Sequence, residues 1–219
     1  MTGLAALGVH LDQVLYYAAA GLVALVFHEF AHAFVATRLG DITPRGMGRL
    51  TLDPRPHVDT FGTLVLPAIL LLIIFFAGPG VFFAYAKPMP FNPWHSRRAT
   101  RDTVLIQAAG PVTNLILAFV FGAIYRVTCS VPGFNQLILA CVGVNVLFAA
   151  IHVIPLPPLD GARAIAPFLP YRARETFVNL EQYAPLFMIA VFFLLGQFFF
   201  NIVGGIGGGI IRLINLQCG

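Results

Sequence analysis

The sequence predicts an all-α membrane protein, a polytopic helix bundle, and three observations support this prediction. Hydrophobic residues make up 58% of the 219 residues and charged residues only 10%, whereas an average soluble domain is about half apolar and about a quarter charged. Several apolar runs reach the roughly 20 residues that a helix needs to cross a bilayer. The basic residues lie at the ends of these runs rather than in one patch, which is typical of membrane loops and argues against a nucleic-acid partner.

Five apolar runs are long enough to be considered as membrane segments. They cover residues 14–35, 61–85, 103–127, 134–154 and 184–202. We therefore expect four to five transmembrane helices in one domain that spans residues 1–219, with its characteristic motifs in residues 20–170 and a C-terminal helix over residues 184–203 followed by a short tail. The glycine-rich stretch 204–209 is expected to bend or end that last helix.

Loop charges predict the orientation of the bundle. The stretches 38–60, 86–102 and 156–182 each contain at least three basic residues, whereas the turn 128–133 contains no charge. Because cytoplasmic loops are enriched in Lys and Arg, we expect these three stretches on the cytoplasmic side and the turn on the other side.

This orientation conflicts with a full crossing by residues 61–85, because a crossing would place the basic stretch 86–102 outside. The interruption Gly78-Pro79-Gly80 allows an alternative, in which the segment enters as a helix, breaks, and returns as an extended strand over residues 81–85. Non-helical backbone is tolerated at membrane depth only where protein buries it or where it lines a cavity. We expect such a re-entrant segment with a short membrane-associated strand; the alternative is an ordinary span with a kinked end.

The first apolar run contains the motif His28-Glu29-Phe30-Ala31-His32. Residues four positions apart lie on one face of a helix, about 6 Å apart, so the two imidazoles can hold one Zn²⁺. Glu29 lies beside them and can accept a proton from an attacking water. Three ionisable groups inside an apolar helix are energetically expensive, and a bound cation explains their presence better than a pair of hydrogen-bonded core histidines.

A catalytic zinc takes three protein ligands and leaves one position open, so a third ligand is expected elsewhere in the chain. Asp160 is the best candidate, because it follows the proline-rich segment 155–158, which cannot continue the preceding helix. Gly161 permits a close approach of the backbone at this point. The residues alone leave a second interpretation open, in which Asp160 caps the N-terminus of a helix that begins near Gly161.

Together these motifs resemble the site-2 protease family of intramembrane zinc metalloproteases, in its small bacterial branch without a PDZ or CBS domain. The histidine motif in a membrane helix is followed far downstream by Pro157-Pro158-Leu159-Asp160-Gly161. The segment 109–114, Ala-Gly-Pro-Val-Thr-Asn, is similar to the family's Gly-Pro-x-x-Asn helix start. Shorter similarities to that branch occur at residues 39–41, 48–52 and 87–93.

The resemblance implies that His28, His32 and Asp160 bind one zinc ion and that Glu29 is the catalytic base. It also implies a metalloendopeptidase that hydrolyses peptide bonds within or near transmembrane segments of other membrane proteins, in regulated intramembrane proteolysis. The implied partners are single-span membrane substrates and the lipid bilayer. The implied location is the bacterial inner membrane, with the active site open to the cytoplasm, in agreement with the loop charges.

Two further polar residues are candidates for substrate contacts. The family usually has Asn at the position of His152, three residues before the first proline of an Asn-x-x-Pro-x-Pro-x-x-Asp pattern. His152 can bind substrate backbone or a developing oxyanion, act as an extra metal ligand, or bond a carbonyl at its helix end. Asn114 has two interpretations, a substrate contact or a hydrogen bond between helices.

A function of another class is also compatible with the sequence, namely a non-catalytic membrane scaffold or transporter with a structural metal site. Such a protein would tolerate Glu29→Gln without loss of function, whereas a protease would not. A di-iron oxidase fits less well, because Glu29 and His32 form one Glu-x-x-His motif and the sequence contains no second one.

Overall fold

The computed structural model describes residues 11–65, 68–69, 72, 86–87, 89–92, 95, 98–181, 183, 198 and 201–217. This part of the chain is mainly helical and contains no strand. Three of its helices are long and apolar enough to cross a membrane. The predicted class, an all-α polytopic membrane protein, is therefore confirmed.

Three long helices are the candidate membrane spans within the described residues. Helix α1 covers Leu11–Arg38, α3 covers Ala99–Thr128 and α4 covers Phe134–His152. Their ends agree with the predicted runs 14–35, 103–127 and 134–154 to within about one helical turn. The short helix α2, Thr43–Gly46, and a π-helical turn, Thr60–Val65, lie between α1 and α3.

Shorter helices follow the last of these spans. Helix α5 covers Asp160–Ile165 and continues into a 3₁₀ turn at Ala166–Phe168. Helix α6 covers Tyr171–Glu181, and the apolar helix α7 covers Asn201–Ile214. The predicted break at residues 78–80, the strand over residues 81–85 and most of the predicted run 184–202 lie outside the described residues.

The glycine-rich stretch 204–209 does not end a helix, so of the two predicted effects the ending of the last helix is wrong and a bend stays a prediction. Helix α7 passes through it and ends at Ile214 instead of near residue 203. Its last residue, Ile214, packs on Gly122 of α3, where a Cβ would overlap the isoleucine side chain. Tertiary packing of this kind outweighs the low helix propensity of glycine.

Small residues bring the long helices close together. Ala20 and Ala24 of α1 pack against Ala140 and Cys141 of α4 in one buried cluster. A second cluster joins α1 to α3 through residues such as Ala33, Ala36 and Ile106. Small side chains let backbones approach closely within a membrane, where no hydrophobic effect drives the helices together. This close packing determines how far apart polar groups on facing helices lie.

A buried carboxylate anchors the loop between α1 and α3. Asp41 is 1% exposed. Its oxygens accept hydrogen bonds from the backbone N–H of Thr43 at 3.0 Å and of Asn92 at 2.9 Å, and from Nδ1 of His95 at 3.0 Å. Burial raises the pKa of this carboxyl group, but the hydrogen bonds outweigh burial and bring the pKa below its usual value.

We expect Asp41→Ala to lower the stability of the protein by about 1–3 kcal/mol, because it removes the acceptor of three part-buried hydrogen bonds. Since folding lowers the pKa of Asp41, its contribution is fully present above the unfolded value of about 3.9 and is lost as the pH falls through the folded pKa. Thermal unfolding in detergent at neutral pH and below pH 4 measures both effects.

Asp53→Ala is the matched control, because Asp53 pairs with a guanidinium of Arg55 that is 88% exposed, and exposed ion pairs contribute little. Equal melting temperatures of Asp41→Ala and the wild type at neutral pH would contradict the assignment of Asp41 as an anchor.

Candidate metal centre

Three polar side chains from distant parts of the chain meet inside the bundle. His28 and His32 lie one turn apart on α1, and Asp160 is the first residue of α5. They are 1%, 3% and 8% exposed, respectively. Their ligand atoms all lie within 4.8 Å of one another, so they form a group that can hold a metal ion.

The segment after α4 brings Asp160 back towards α1, as its prolines predict. Leu159 is extended, with φ −71° and ψ 158°, and occupies the N-cap position of α5. Gly161 lies against the backbone oxygens of Val153 and Ile154, and a Cβ at this position would overlap both. Asp160 is the first helical residue and Leu159 takes the N-cap position, so the structure does not support the interpretation of Asp160 as the helix cap.

The distances fit a tetrahedral zinc site. Nε2 of His28 and Nε2 of His32 are 3.0 Å apart. Oδ2 of Asp160 lies 3.0 Å from the first nitrogen and 3.3 Å from the second. Ligands at about 2.0–2.1 Å from a tetrahedral zinc are about 3.3 Å from one another. The three atoms therefore form a triangle close to one face of a zinc coordination tetrahedron.

The hydrogen bond that each imidazole makes through Nδ1, on the side away from Asp160, shows which ring nitrogen carries the proton. Nδ1 of His28 is 2.6 Å from Oδ1 of Asn114, and Nδ1 of His32 is 2.6 Å from the carbonyl oxygen of Ile106. Both partners are acceptors, so each Nδ1 carries the proton. Each Nε2 then presents a lone pair towards the other and towards the Asp160 carboxylate. Three acceptors that face one point repel one another, and a cation bound between them removes this repulsion.

Asn114 belongs to a buried hydrogen-bond chain that crosses the bundle. Its Nδ2 donates to Oδ1 of Asn145 at 2.9 Å and to the carbonyl oxygen of Ala24 at 3.2 Å. Asn145 in turn donates to the carbonyl oxygen of Cys141 at 2.8 Å. Asn114 and Asn145 are both 0% exposed. Of the two interpretations of Asn114, this geometry favours the interhelical hydrogen bond, which also orients His28.

His152 lies beside the three candidate ligands. It is the last residue of α4, and its Nδ1 is 2.8 Å from the same Oδ2 of Asp160. Its ring is 4.3 Å from the ring of His28 and stacks on Phe148. Its side chain is 25% exposed, more than those of the three candidate ligands. The contact with Asp160, rather than one with a carbonyl, is what the structure shows, and a substrate or oxyanion role for His152 stays a prediction.

Glu29 lies next to this group with an acceptor atom available. Its side chain is buried, and Oε2 has no hydrogen-bond partner within the described part of the chain. A buried positive charge, Arg49, is close enough to interact with it electrostatically. Burial lowers the pKa of the Arg49 guanidinium, and the negative charge of Glu29 opposes that shift. The sequence did not identify Arg49 as part of this site, because nothing in residues 48–52 shows that the loop folds back over Glu29.

Gly110 of α3 lets the third helix pass close to the imidazoles. A Cβ on this residue would overlap Nε2 of both His28 and His32. The segment Gly110-Pro111 lies well inside α3, which begins at Ala99. The motif that resembles the family's helix start therefore lies in the interior of α3, as the predicted run 103–127 requires. Because Gly110 has no side chain, the motif leaves space on the surface of α3 opposite the two histidines.

Comparison with known proteins gives relatives with a common description. The chain is 35% identical over 181 residues to "Putative zinc metalloprotease YwhC" of Bacillus subtilis, with 78% of this chain and 77% of the relative covered. It is 31% identical over 192 residues to "Putative zinc metalloprotease Rip2" of Mycobacterium tuberculosis, with 83% and 69% covered. The protein of the same name from Mycolicibacterium smegmatis is 28% identical over 197 residues.

No family model and no solved structure matches the chain. The fold, the His-His-Asp group and these relatives together define a membrane protein of the zinc metalloprotease class. The chain belongs to the site-2 protease family, as its motifs predict.

We expect Gly110→Ala to abolish stoichiometric zinc binding, because the added methyl group would occupy the space of the two Nε2 atoms. Metal analysis of the purified protein by mass spectrometry measures the change. Gly21→Ala on α1 is the matched control, since a Cβ there meets nothing within 4 Å. Full zinc occupancy in Gly110→Ala would show that the imidazoles do not face α3 as described.

We expect Asn114→Ala to weaken zinc binding by about 10–100-fold, the usual effect of removing a hydrogen-bond partner behind a metal-ligating histidine. Competition with a chelator of known affinity measures this change. Asn135→Ala is the control, because the side chain of Asn135 donates to the carbonyl oxygen of Cys129 near the other end of α4, away from His28. An unchanged affinity in Asn114→Ala would mean that His28 does not depend on this hydrogen bond.

Proposed function

We propose that the protein is an intramembrane zinc metalloprotease that cleaves single-span membrane proteins within or near their transmembrane segments. The observation that supports this most directly is the convergence of three acceptor atoms, from His28, His32 and Asp160, beside the carboxylate of Glu29. A structural metal site does not need a carboxylate with a vacant acceptor next to it. Membership in the site-2 protease family supports the same conclusion.

The depth of the site supports cleavage inside the membrane. The span that contains both histidines ends at Arg38, six residues after His32 and ten after His28. At 1.5 Å per residue, the imidazoles lie about 9–15 Å from the end of the span. The hydrocarbon core of a bilayer is about 30 Å thick, so a peptide bond at this depth belongs to a membrane-embedded segment. Such a segment must unwind locally before cleavage, because a helix keeps its carbonyl groups hydrogen-bonded within itself.

Each residue of the site has a separate role in the proposed reaction. Zinc held by His28, His32 and Asp160 would supply a Lewis acid that activates water and polarises the scissile carbonyl. Glu29 accepts the proton of the attacking water at Oε2 and passes it to the nitrogen of the leaving amine. Asn114 and the carbonyl of Ile106 hold the two imidazoles in the required tautomer. His152, beside Asp160, is placed to contact the substrate or the developing oxyanion.

We further propose that the site opens to the cytoplasm of a bacterial cell. The ends of α1 and α4 and the start of α3 lie on the same side of the bundle, because Arg38 lines a cavity with Arg98 and Asp160 contacts His28. These contacts support one common side for the basic stretches 38–60, 86–102 and 156–182, as the positive-inside rule requires. The curated relatives come from bacteria, which supports an inner-membrane location.

We expect Glu29→Gln to keep its zinc and to cleave a model single-span substrate about 10²–10⁴-fold more slowly, because the amide cannot accept a proton. The assay uses wild-type and variant protein reconstituted in liposomes, with zinc content measured on the same samples. Glu175→Gln, on the exposed surface of α6, is the matched control and should cleave at the wild-type rate.

A chelator should abolish cleavage by the wild type, and added zinc should restore it. Cleavage by Glu29→Gln at the wild-type rate would contradict the proposed base. Absence of cleavage by the wild type with zinc bound would favour the alternative, a membrane scaffold or transporter with a structural metal.

A further inference from the structure

A basic cavity opens on the side of the bundle where α1 ends and α3 begins. It has a volume of about 520 Å³ and is lined by Arg38, Leu39, Gly40, Arg98, Arg101 and Asp102. The three arginines are exposed, whereas Asp102 is 4% exposed. The solvent-facing charge of the cavity is therefore positive, which favours an anionic ligand.

The position of the cavity indicates which anions it meets. Arg38 is the last residue of one candidate span, and Arg98 and Arg101 flank the start of the next, which begins at Ala99. Residues at the ends of membrane spans are expected at the level of the lipid headgroups. Guanidinium groups bind phosphate through paired hydrogen bonds, and basic pockets between membrane helices bind the headgroups of anionic lipids.

An apolar groove lies along the same pair of helices. It has a volume of about 310 Å³, and its lining includes Phe27, Phe30 and Phe34 of α1 and Val112 of α3. The guanidinium of Arg38 lies 4.9 Å from the ring centre of Phe34. Phe34 thus belongs to the groove and Arg38 to the basic cavity, so the two features adjoin. A charged pocket next to an apolar groove matches a phosphate group attached to an acyl chain.

Two phenylalanines of the groove lie on the face of α1 away from the candidate metal centre. Phe30 follows His28 by two residues, and Phe34 follows His32 by two residues. Two residues correspond to a rotation of about 200° around a helix. The opposite wall of the groove includes Ala109, next to Gly110 of α3, and so lies closer to the imidazoles. The occupant that the phenylalanine face meets continuously is the bilayer.

We propose that this cavity and groove bind one anionic phospholipid. The phosphate group lies among Arg38, Arg98 and Arg101, and one acyl chain lies along the three phenylalanines. The bound lipid would join the end of α1 to the start of α3, the two helices that provide His28, His32 and Gly110. This inference concerns a lipid site and does not depend on the proposed proteolysis.

The test compares lipids retained by the purified full-length protein after incubation in detergent with equal amounts of phosphatidylglycerol and phosphatidylcholine. Native mass spectrometry counts the bound molecules. We expect the wild type to retain one phosphatidylglycerol in preference to phosphatidylcholine. The double variant Arg38→Gln/Arg101→Gln should retain about thirtyfold less, because each of the two arginines near a headgroup contributes about 1 kcal/mol.

The matched control is Arg126→Gln/Arg212→Gln, which removes the same net charge from exposed positions outside the cavity. It should retain phosphatidylglycerol as the wild type does. Equal loss in both double variants would assign the retention to overall charge and overturn the proposal. Equal retention of the two lipids by the wild type would also overturn it.

Two further experiments use the wild type alone, so their results do not depend on whether a variant folds. Phosphatidylglycerol should raise its melting temperature, and phosphatidylcholine should not. Inorganic phosphate at millimolar concentration should not displace the lipid. Displacement by phosphate would assign the cavity to a soluble phosphate compound instead, and the absence of any stabilisation by phosphatidylglycerol would refute the lipid site.

Discussion

The contact of the Asp160 carboxylate with two imidazoles of α1 is the interaction on which the rest of the structure depends. It joins a residue beyond the last of three long helices to the middle of the first. Because each imidazole donates its Nδ1 proton to another acceptor, the three atoms at the centre are all acceptors. A cation bound among them would turn mutual repulsion into attraction and would thereby link the end of the bundle to its first helix.

The surroundings of this centre follow from the need to satisfy polar groups in an apolar medium. Every unsatisfied polar group costs several kcal/mol in hydrocarbon. A continuous series of hydrogen bonds satisfies the polar groups around this centre. His28 bonds to Asn114, Asn114 bonds to Asn145, and Asn145 bonds to the backbone of its own helix. Glycine and alanine keep the helices close enough for these bonds. Oε2 of Glu29 is one of three buried side-chain atoms without a hydrogen-bond partner within the described part of the chain, and it lies where the proposed reaction needs a proton acceptor.

The sequence predicted the long helices and the candidate ligands because both depend on local patterns. The length of the apolar runs predicts helices α1, α3 and α4. The four-residue spacing of His28 and His32 places both side chains on one face of α1. Asp160 was predictable because prolines end α4 and turn the chain. In each case the physical cause lies within a few residues of the feature.

The remaining features depend on packing between distant segments, which a local pattern does not contain. Helix α7 continues through its glycines because Ile214 packs on Gly122. The proximity of Arg49 to Glu29 requires the fold of a loop whose sequence is not periodic. The interpretation of Asn114 stayed open until the structure showed Asn145 beside it.

Zinc K-edge X-ray absorption of the purified, folded protein tests the central claim most directly. The account predicts one zinc per chain, with imidazole scattering from two nitrogens at about 2.0–2.1 Å and an oxygen ligand at about 2.0–2.2 Å. It also predicts that Asp160→Asn alters the oxygen shell and keeps the imidazole signal. Folded protein without zinc, or a zinc environment without imidazole, would contradict the account.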